Sequence, residues 1–162
     1  MNKYKFFFRS ASVFSNWYFC EFNDGENNFN CVEQYMMFKK AVLFEDYEVA
    51  KKIIETPYNP KYYKKMGRKV KNFNQKIWNE NKTQIVYDGC RFKFSQNKKL
   101  KEILLNTDGI FVEASPYDKI WGVGLSSDDP RIHDERNWKG QNLLGKILTK
   151  LRNEFTRNHL EN

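Results

Sequence analysis

Cysteine and histidine are scarce in this chain of 162 residues, and neither is grouped. Cys20, Cys31 and Cys90 are odd in number and show no Cys-x-x-Cys spacing, while His133 and His159 stand far apart. No zinc pattern results, and a reduced, cytoplasmic chain is expected. Long apolar runs are missing as well. No stretch approaches the roughly 20 residues of a membrane span. Phe6-Phe7-Phe8 is too short for the core of a signal peptide. Glycine-rich phosphate loops are absent: Gly122-Val123-Gly124 follows no convincing strand and opens no helix. Neither histidine sits in a motif and no Gly-x-Ser-x-Gly occurs, which leaves a Ser–His–Asp triad without support. There is no linker, repeat or low-complexity segment.

Positive charge and aromatic rings are abundant. The net charge of +8 suggests an anionic partner, a nucleic acid or a phosphorylated small molecule, although a lysine-rich solvated surface has the same composition. With 14 Phe, 9 Tyr and 4 Trp, some rings must form core, and the excess suggests stacking against flat ligands. The length fits one domain able to bury about 70% of its unfolded surface.

The pattern predicts mostly helix. Residues 6–29 are aromatic and turn-rich, with Asn23-Asp24-Gly25 as a turn between two short extended pieces. Residues 32–45 hold no Gly or Pro and are rich in Met, Leu, Ala, Glu and Lys, so a helix is expected there. Asp46 caps a second helix to about Glu55, and Asn59-Pro60 starts a third that ends near Met66. Asn74 caps a long helix reaching Asp88 or beyond, and Gln96 or Asn97 begins another through Leu104. Gly109 to Ala114 alternates as a short strand, Tyr117 to Trp138 is a long irregular segment of the kind that carries function, and Gln141 to about Phe155 is a closing helix.

The helix at 32–45 carries the best chemical candidates. Glu33 and Lys40 are seven residues apart, about two turns, so they share a face with Met37 between them. Taken alone, Glu33 reads as a helix-start carboxylate and Lys40 as a surface lysine. Trp121, in the long loop, is either a core plug or a ligand platform. Gly67-Arg68-Lys69 is a basic cluster at a helix end. Trp138, Gly140 and Asn142 lead into the last helix, whose N-terminus either holds an anion or is capped by Asn or Gln.

Several pieces occur in a specific order: Phe14-Ser15-Asn16-Trp17-Tyr18, Val32-Glu33-Gln34-Tyr35-Met36-Met37 with Lys40-Ala41, Met66-Gly67-Arg68-Lys69-Val70, and Trp78. Lys93-Phe94-Ser95-Gln96-Asn97, Leu100 and Leu104-Leu105 follow, then Val112 to Asp118, Ile120 to Leu125, and Trp138 to Gly145. No piece is specific alone, but the ordered set, from about Phe7 to Arg152, resembles the NADAR family, also called YbiA-like. Two departures, Phe19-Cys20 where a proline-containing pair is common and Cys31 where a small residue is usual, do not touch the chemistry.

The resemblance implies a mainly α, multihelical single domain over residues 1–162, with minor short β-strands. It implies cleavage of an N-glycosidic bond. No metal, cofactor or membrane is expected. Two substrate classes go with the family: ADP-ribose attached to guanine in DNA, RNA or nucleotides, and phosphorylated ribosylamino intermediates of riboflavin synthesis. A non-catalytic ADP-ribose reader is the alternative of another class. Glu33, Lys40 and Asp118 are the expected catalytic residues; a Schiff base between Lys40 and the opened ribose is one route, and the sequence leaves the role of Lys40 open. Trp17 and Trp121 are expected to stack on the base or adenine, and Arg9, Arg68 or Lys69 to meet phosphate. Asn16, Trp78, Gly122, Trp138 and Asn142 complete the expected ligand-binding set.

Overall fold

Helix dominates the chain, as its residue pattern predicts. The computed structural model describes residues 3–162. In chain order the elements are β1 (Tyr4–Phe7), β2 (Phe22–Asn23), β3 (Asn28–Phe29), α1 (Val32–Leu43), α2 (Tyr47–Glu55), α3 (Pro60–Gly67), α4 (Gln75–Ser95), α5 (Lys98–Leu105), β4 (Ile110–Glu113) and α6 (Leu143–Glu161). Two short 3-10 turns, Pro130–His133 and Glu135–Asn137, interrupt the long segment before α6. Among the described residues no helix is long and apolar enough to cross a membrane.

The chain forms two compact units: Asn16–Asn97, and a second that joins the N-terminal segment through Ser15 to Lys98–Asn162. In the first, α1 packs against α2, α3 and α4. The helix starts follow from capping chemistry: the side chains of Asp46, Asn59 and Asn74 accept from the amides of Val49, Tyr62 and Ile77, satisfying donors that the helix leaves unpaired. Helices approach closely where glycine allows it. A Cβ on Gly67 would lie 2.0 Å from Met37 Sδ, and one on Gly89 would lie 2.8 Å from the Tyr35 ring, so α3 and α4 both seat on α1. The predicted turn at 23–25 closes the antiparallel β2–β3 pair, with Asp24 Oδ1 accepting from the amides of Glu26 and Asn27 at 2.9 and 2.8 Å.

The second unit holds the feature that the sequence pattern does not announce. Tyr4–Phe7, of which only Phe6 and Phe7 fall within the aromatic, turn-rich stretch at 6–29, is a strand that pairs in parallel with β4 from the other end of the chain. The β4 segment is the one predicted, and it is buried beneath α6. Here a Cβ on Gly145 would lie 2.0 Å from the Phe111 carbonyl oxygen, so only glycine lets helix meet strand at this distance. Helix α6 also differs from its expected bounds, starting at Leu143 and running to Glu161, with Leu144, Leu148 and Leu151 buried as the spacing predicts.

Candidate active site

The first turn of α1 is buried through Met37, including Glu33 at 5% exposure. This is not a solvated helix start. The Glu33 amide donates to the main-chain oxygen of Asn16 at 2.9 Å, which ties the Asn16-Trp17 segment to the helix N-terminus. Cys31 precedes the helix in an extended conformation and offers no side-chain cap. A carboxylate in the first turn, at the positive end of the helix dipole, is thereby favoured in a place with little water.

Lys40 lies two turns along, half-buried. Its ammonium nitrogen is 4.7 Å from the centre of the Phe73 ring and 5.4 Å from that of Trp78. Burial pushes its pKa below the ordinary lysine value, the Glu33 carboxylate works the other way, and the Arg68 guanidinium adds to the lowering. The structure therefore brings Glu33, Lys40, Arg68 and Trp78 into one electrostatic neighbourhood within the Asn16–Asn97 unit. Asn16, 6% exposed, is in the same unit; its side-chain oxygen accepts from Cys90 Sγ at 4.0 Å. Trp17 is half-buried, and its carbonyl accepts from the Tyr58 hydroxyl.

Two residues of this unit escaped the sequence reading. Phe73 has no helical periodicity to betray it, lying between Asn72 and Asn74 just before α4, yet its ring forms one wall at Lys40. Lys93 is the other. It is 1% exposed, its nitrogen lies 5.5 Å from the Tyr18 ring centre, and burial pulls its pKa down to about 8, opposed by the neighbouring thiols of Cys90, Cys20 and Cys31. The signal was available in part: Cys90, Lys93 and Phe94 fall on adjacent positions of one helical face.

The remaining expected site residues belong to the other unit. Asp118, Trp121, Gly122 and Asn142 come together there. Asp118 Oδ1 accepts from the amides of Ile120 and Trp121 at 2.9 and 2.8 Å, and its own amide donates to Ser115 Oγ at 3.0 Å. The loop then delivers its carbonyls to the start of α6. Ile120 and Trp121 accept from the amides of Leu143 and Leu144, both at 3.2 Å, and Gly122 accepts from Asn142 at 3.0 Å. The anion seat considered for this helix start is thus occupied by the protein's own backbone. Asn142 does not cap through its side chain either. It is 1% exposed and left-handed, with φ 52; its Oδ1 accepts from the Glu113 amide and its Nδ2 donates to the Phe111 carbonyl, each at 3.0 Å. It is a bracket between β4 and α6. Trp138 is likewise inward: its Nε1 donates to the Ile132 carbonyl at 2.8 Å and its ring packs on the cluster of Tyr4, Val112, Val123 and Ile132. Trp121 is half-buried, and Arg9 is exposed, with φ 75 and its guanidinium 5.8 Å from the Phe8 ring centre. Among the described residues, no cluster of three or more His, Cys, Asp or Glu side chains could hold a metal ion.

A family model for the NADAR domain matches residues 6–156. The chain belongs to the NADAR family. Its relatives include N-glycosidase R617 of Acanthamoeba polyphaga mimivirus, 47% identical over 88% of this chain and 86% of that protein. Another is protein irg-1 of Caenorhabditis elegans, 40% identical over 92% of this chain and 78% of that protein. The solved structure of Escherichia coli YbiA has the same fold: a TM-score of 0.80 at 25% identity, covering 99% of this chain and 89% of that one. The NADAR assignment accounts for the helical content and the ordered motifs together.

Proposed function

We propose that this NADAR protein is an N-glycosidase that cleaves the C1–N bond of a phosphorylated ribose, and that its preferred substrate is ADP-ribose attached to guanine in nucleic acid or nucleotides. The observation that carries the reading is the pair on α1: a buried carboxylate, Glu33, and a lysine, Lys40, whose amine is partly desolvated between two aromatic rings. A surface helix has no need of either. The names of mimiviral R617 and of YbiA relatives as N-glycosidases support the same reaction type.

Breaking a ribosyl C–N bond builds positive charge on the sugar, which a fixed carboxylate stabilises in a site poor in water. Glu33 fills that role. Lys40, held below the usual lysine pKa by burial, supplies a free amine at a lower pH than an exposed lysine does. Its nitrogen bonds to C1 as the bond from C1 to the base breaks, and the base nitrogen departs with a proton. Opening of the ribose ring at C1 leaves a Schiff base, and water adds at C1 to free the sugar and return the amine. Arg68, exposed and close enough to act on Lys40 electrostatically, meets phosphate. Trp17, half-buried in the same unit, offers a ring face to a base or to adenine.

A second reading is turnover of a phosphorylated ribosylamino pyrimidine. It is favoured by the relative named riboflavin biosynthesis protein PYRR of Arabidopsis thaliana, 38% identical over 48% of this chain but only 11% of that protein. A non-catalytic ADP-ribose reader is a weaker third, since a reader has no use for a desolvated lysine. The deciding experiment incubates the protein with a guanine-ADP-ribosylated oligonucleotide and follows release of ADP-ribose. Release supports the preferred reading. No release, with turnover of the ribosylamino pyrimidine, reverses the order, and binding of ADP-ribose without any turnover leaves the reader. Reduction with borohydride during turnover is expected to leave a sugar adduct on Lys40, and the absence of any adduct removes the Schiff base.

A further inference from the structure

Between Thr56 and Asn79 the chain has no Asp or Glu, yet it has seven cations: Lys61, Lys64, Lys65, Arg68, Lys69, Lys71 and Lys76. All seven are exposed, and none forms an ion pair among the described residues. Four of them, Lys61, Lys64, Lys65 and Arg68, stand at i, i+3, i+4 and i+7 along α3 and its end, which places them on one face. The opposite face, Tyr63, Met66 and Gly67, is buried, so the cationic face is fixed outward.

Helix stability does not account for this arrangement. Like charges three and four residues apart repel by about 0.2–0.5 kcal/mol per pair. The helix dipole favours Lys64 and Lys65 in the last turn but opposes Lys61 in the first. A polyanion laid along the face removes the repulsion. The strip leads to the candidate site: Arg68 lies at its end and acts electrostatically on Lys40. Beyond Arg68, Phe73 is 42% exposed beside Lys40, and Tyr58 flanks the strip at 39% exposure. Cations interleaved with exposed rings suit a strand whose bases are free to stack, rather than a paired duplex.

We propose that the cationic face of α3, with the segment that follows it, is a track for the phosphate backbone of single-stranded nucleic acid leading to Lys40. This rests on the reading of Lys40 as the reacting amine. The track neutralises phosphates on the neighbouring nucleotides, so it acts on polymeric substrates and leaves a mononucleotide untouched.

The test uses the full chain with Lys61→Glu, Lys64→Glu and Lys65→Glu combined, and a Lys→Gln triple in case charge reversal disturbs folding. Two substrates are compared, an ADP-ribosylated guanosine nucleotide and an ADP-ribosylated single-stranded oligonucleotide. Turnover of the nucleotide is expected to stay within about twofold, while kcat/KM on the oligonucleotide falls at least tenfold, through KM. Binding to the same oligonucleotide without ADP-ribose is titrated against salt in parallel. The wild-type dependence of log affinity on log salt is expected to be steeper than that of the triple variant by about 2, the value for three lost phosphate contacts on a single strand. An equal loss on both substrates, or no loss on the oligonucleotide, overturns the track, and tighter binding of duplex than of single strand overturns its single-strand character. If the wild type cleaves neither substrate, the enzymatic reading fails, and the salt-dependent loss of binding in the variant still decides for or against the track.

Discussion

Glu33, Lys40 and Lys93 sit on helices of the Asn16–Asn97 unit, and each is a charge-bearing group drawn out of water. Asp118, Gly122 and Asn142 sit in or beside the long loop of the other unit, where their polar atoms are joined to main chain. The two regions use polarity differently. On the helices, the backbone satisfies itself, so side chains are left to set local charge and proton affinity. In the loop, which lacks a regular ladder, side chains and carbonyls must satisfy neighbouring amides, so the same residue types become framework. Substitutions in the first region should therefore alter chemistry with the fold intact, and those in the second should alter stability first.

The largest effect tests that contrast directly. Lys40→Ala and Glu33→Ala are each expected to lower turnover at least ~100-fold, a loss typical of removing a group that acts on the reacting atoms. Far-ultraviolet circular dichroism should show the helix content unchanged. A Lys40→Ala protein with full turnover removes the lysine from the chemistry. Next comes the loop region. Asn142→Ala takes away two buried hydrogen bonds and puts a β-carbon residue in a left-handed conformation, and should cost roughly 3–5 kcal/mol in denaturant unfolding. Asn142→Gly relieves the conformational part and should be milder. If Asn142→Ala instead keeps its stability while losing ligand affinity, the contrast between the regions breaks.

Lys93 sharpens the comparison through pH. Its pKa is about 8 in the folded protein against 10.5 as the ordinary value. Below pH 8 both folded and unfolded chains hold the proton, and the cost of the buried charge is fully present. Between pH 8 and 10.5 the unfolded chain binds more protons, so the Lys93 contribution to stability rises with pH, by up to about 3 kcal/mol. Lys93→Met lacks that rise. The difference in unfolding free energy between the variant and the wild type should shrink across this window, and a flat difference refutes the account. The smallest effect is at Arg68. Its charge lowers the Lys40 pKa, so Arg68→Gln should move the rising limb of the pH–rate profile to higher pH, while Glu33→Gln, read from its residual activity, should move it lower.

Much of the helical unit is legible in the sequence. Asp46, Asn59 and Asn74 mark their helix starts because capping is a contact made within three residues, and sequence order alone supplies it. Glu33 and Lys40 share a face because the helical repeat places them there. The strand at Tyr4–Phe7 was not legible, because its partner Ile110–Glu113 lies about a hundred residues away and a parallel pair leaves no local turn signal. Its sequence position marks Asn142 as a ligand group or a cap, and neither local pattern reveals that both ends of its amide reach Phe111 and Glu113.

Local chemistry, then, determined where the helices begin, which residues carry the candidate chemistry, and the family to which the ordered motifs belong. Tertiary structure decided which of those groups are stripped of water. Phe73 beside Lys40, the burial of Lys93 and the outward cationic face of α3 all depend on neighbours brought in from elsewhere in the chain. The reason is physical: capping and periodicity act over a few residues, whereas desolvation and the field at a charge are set by whatever the fold packs around it.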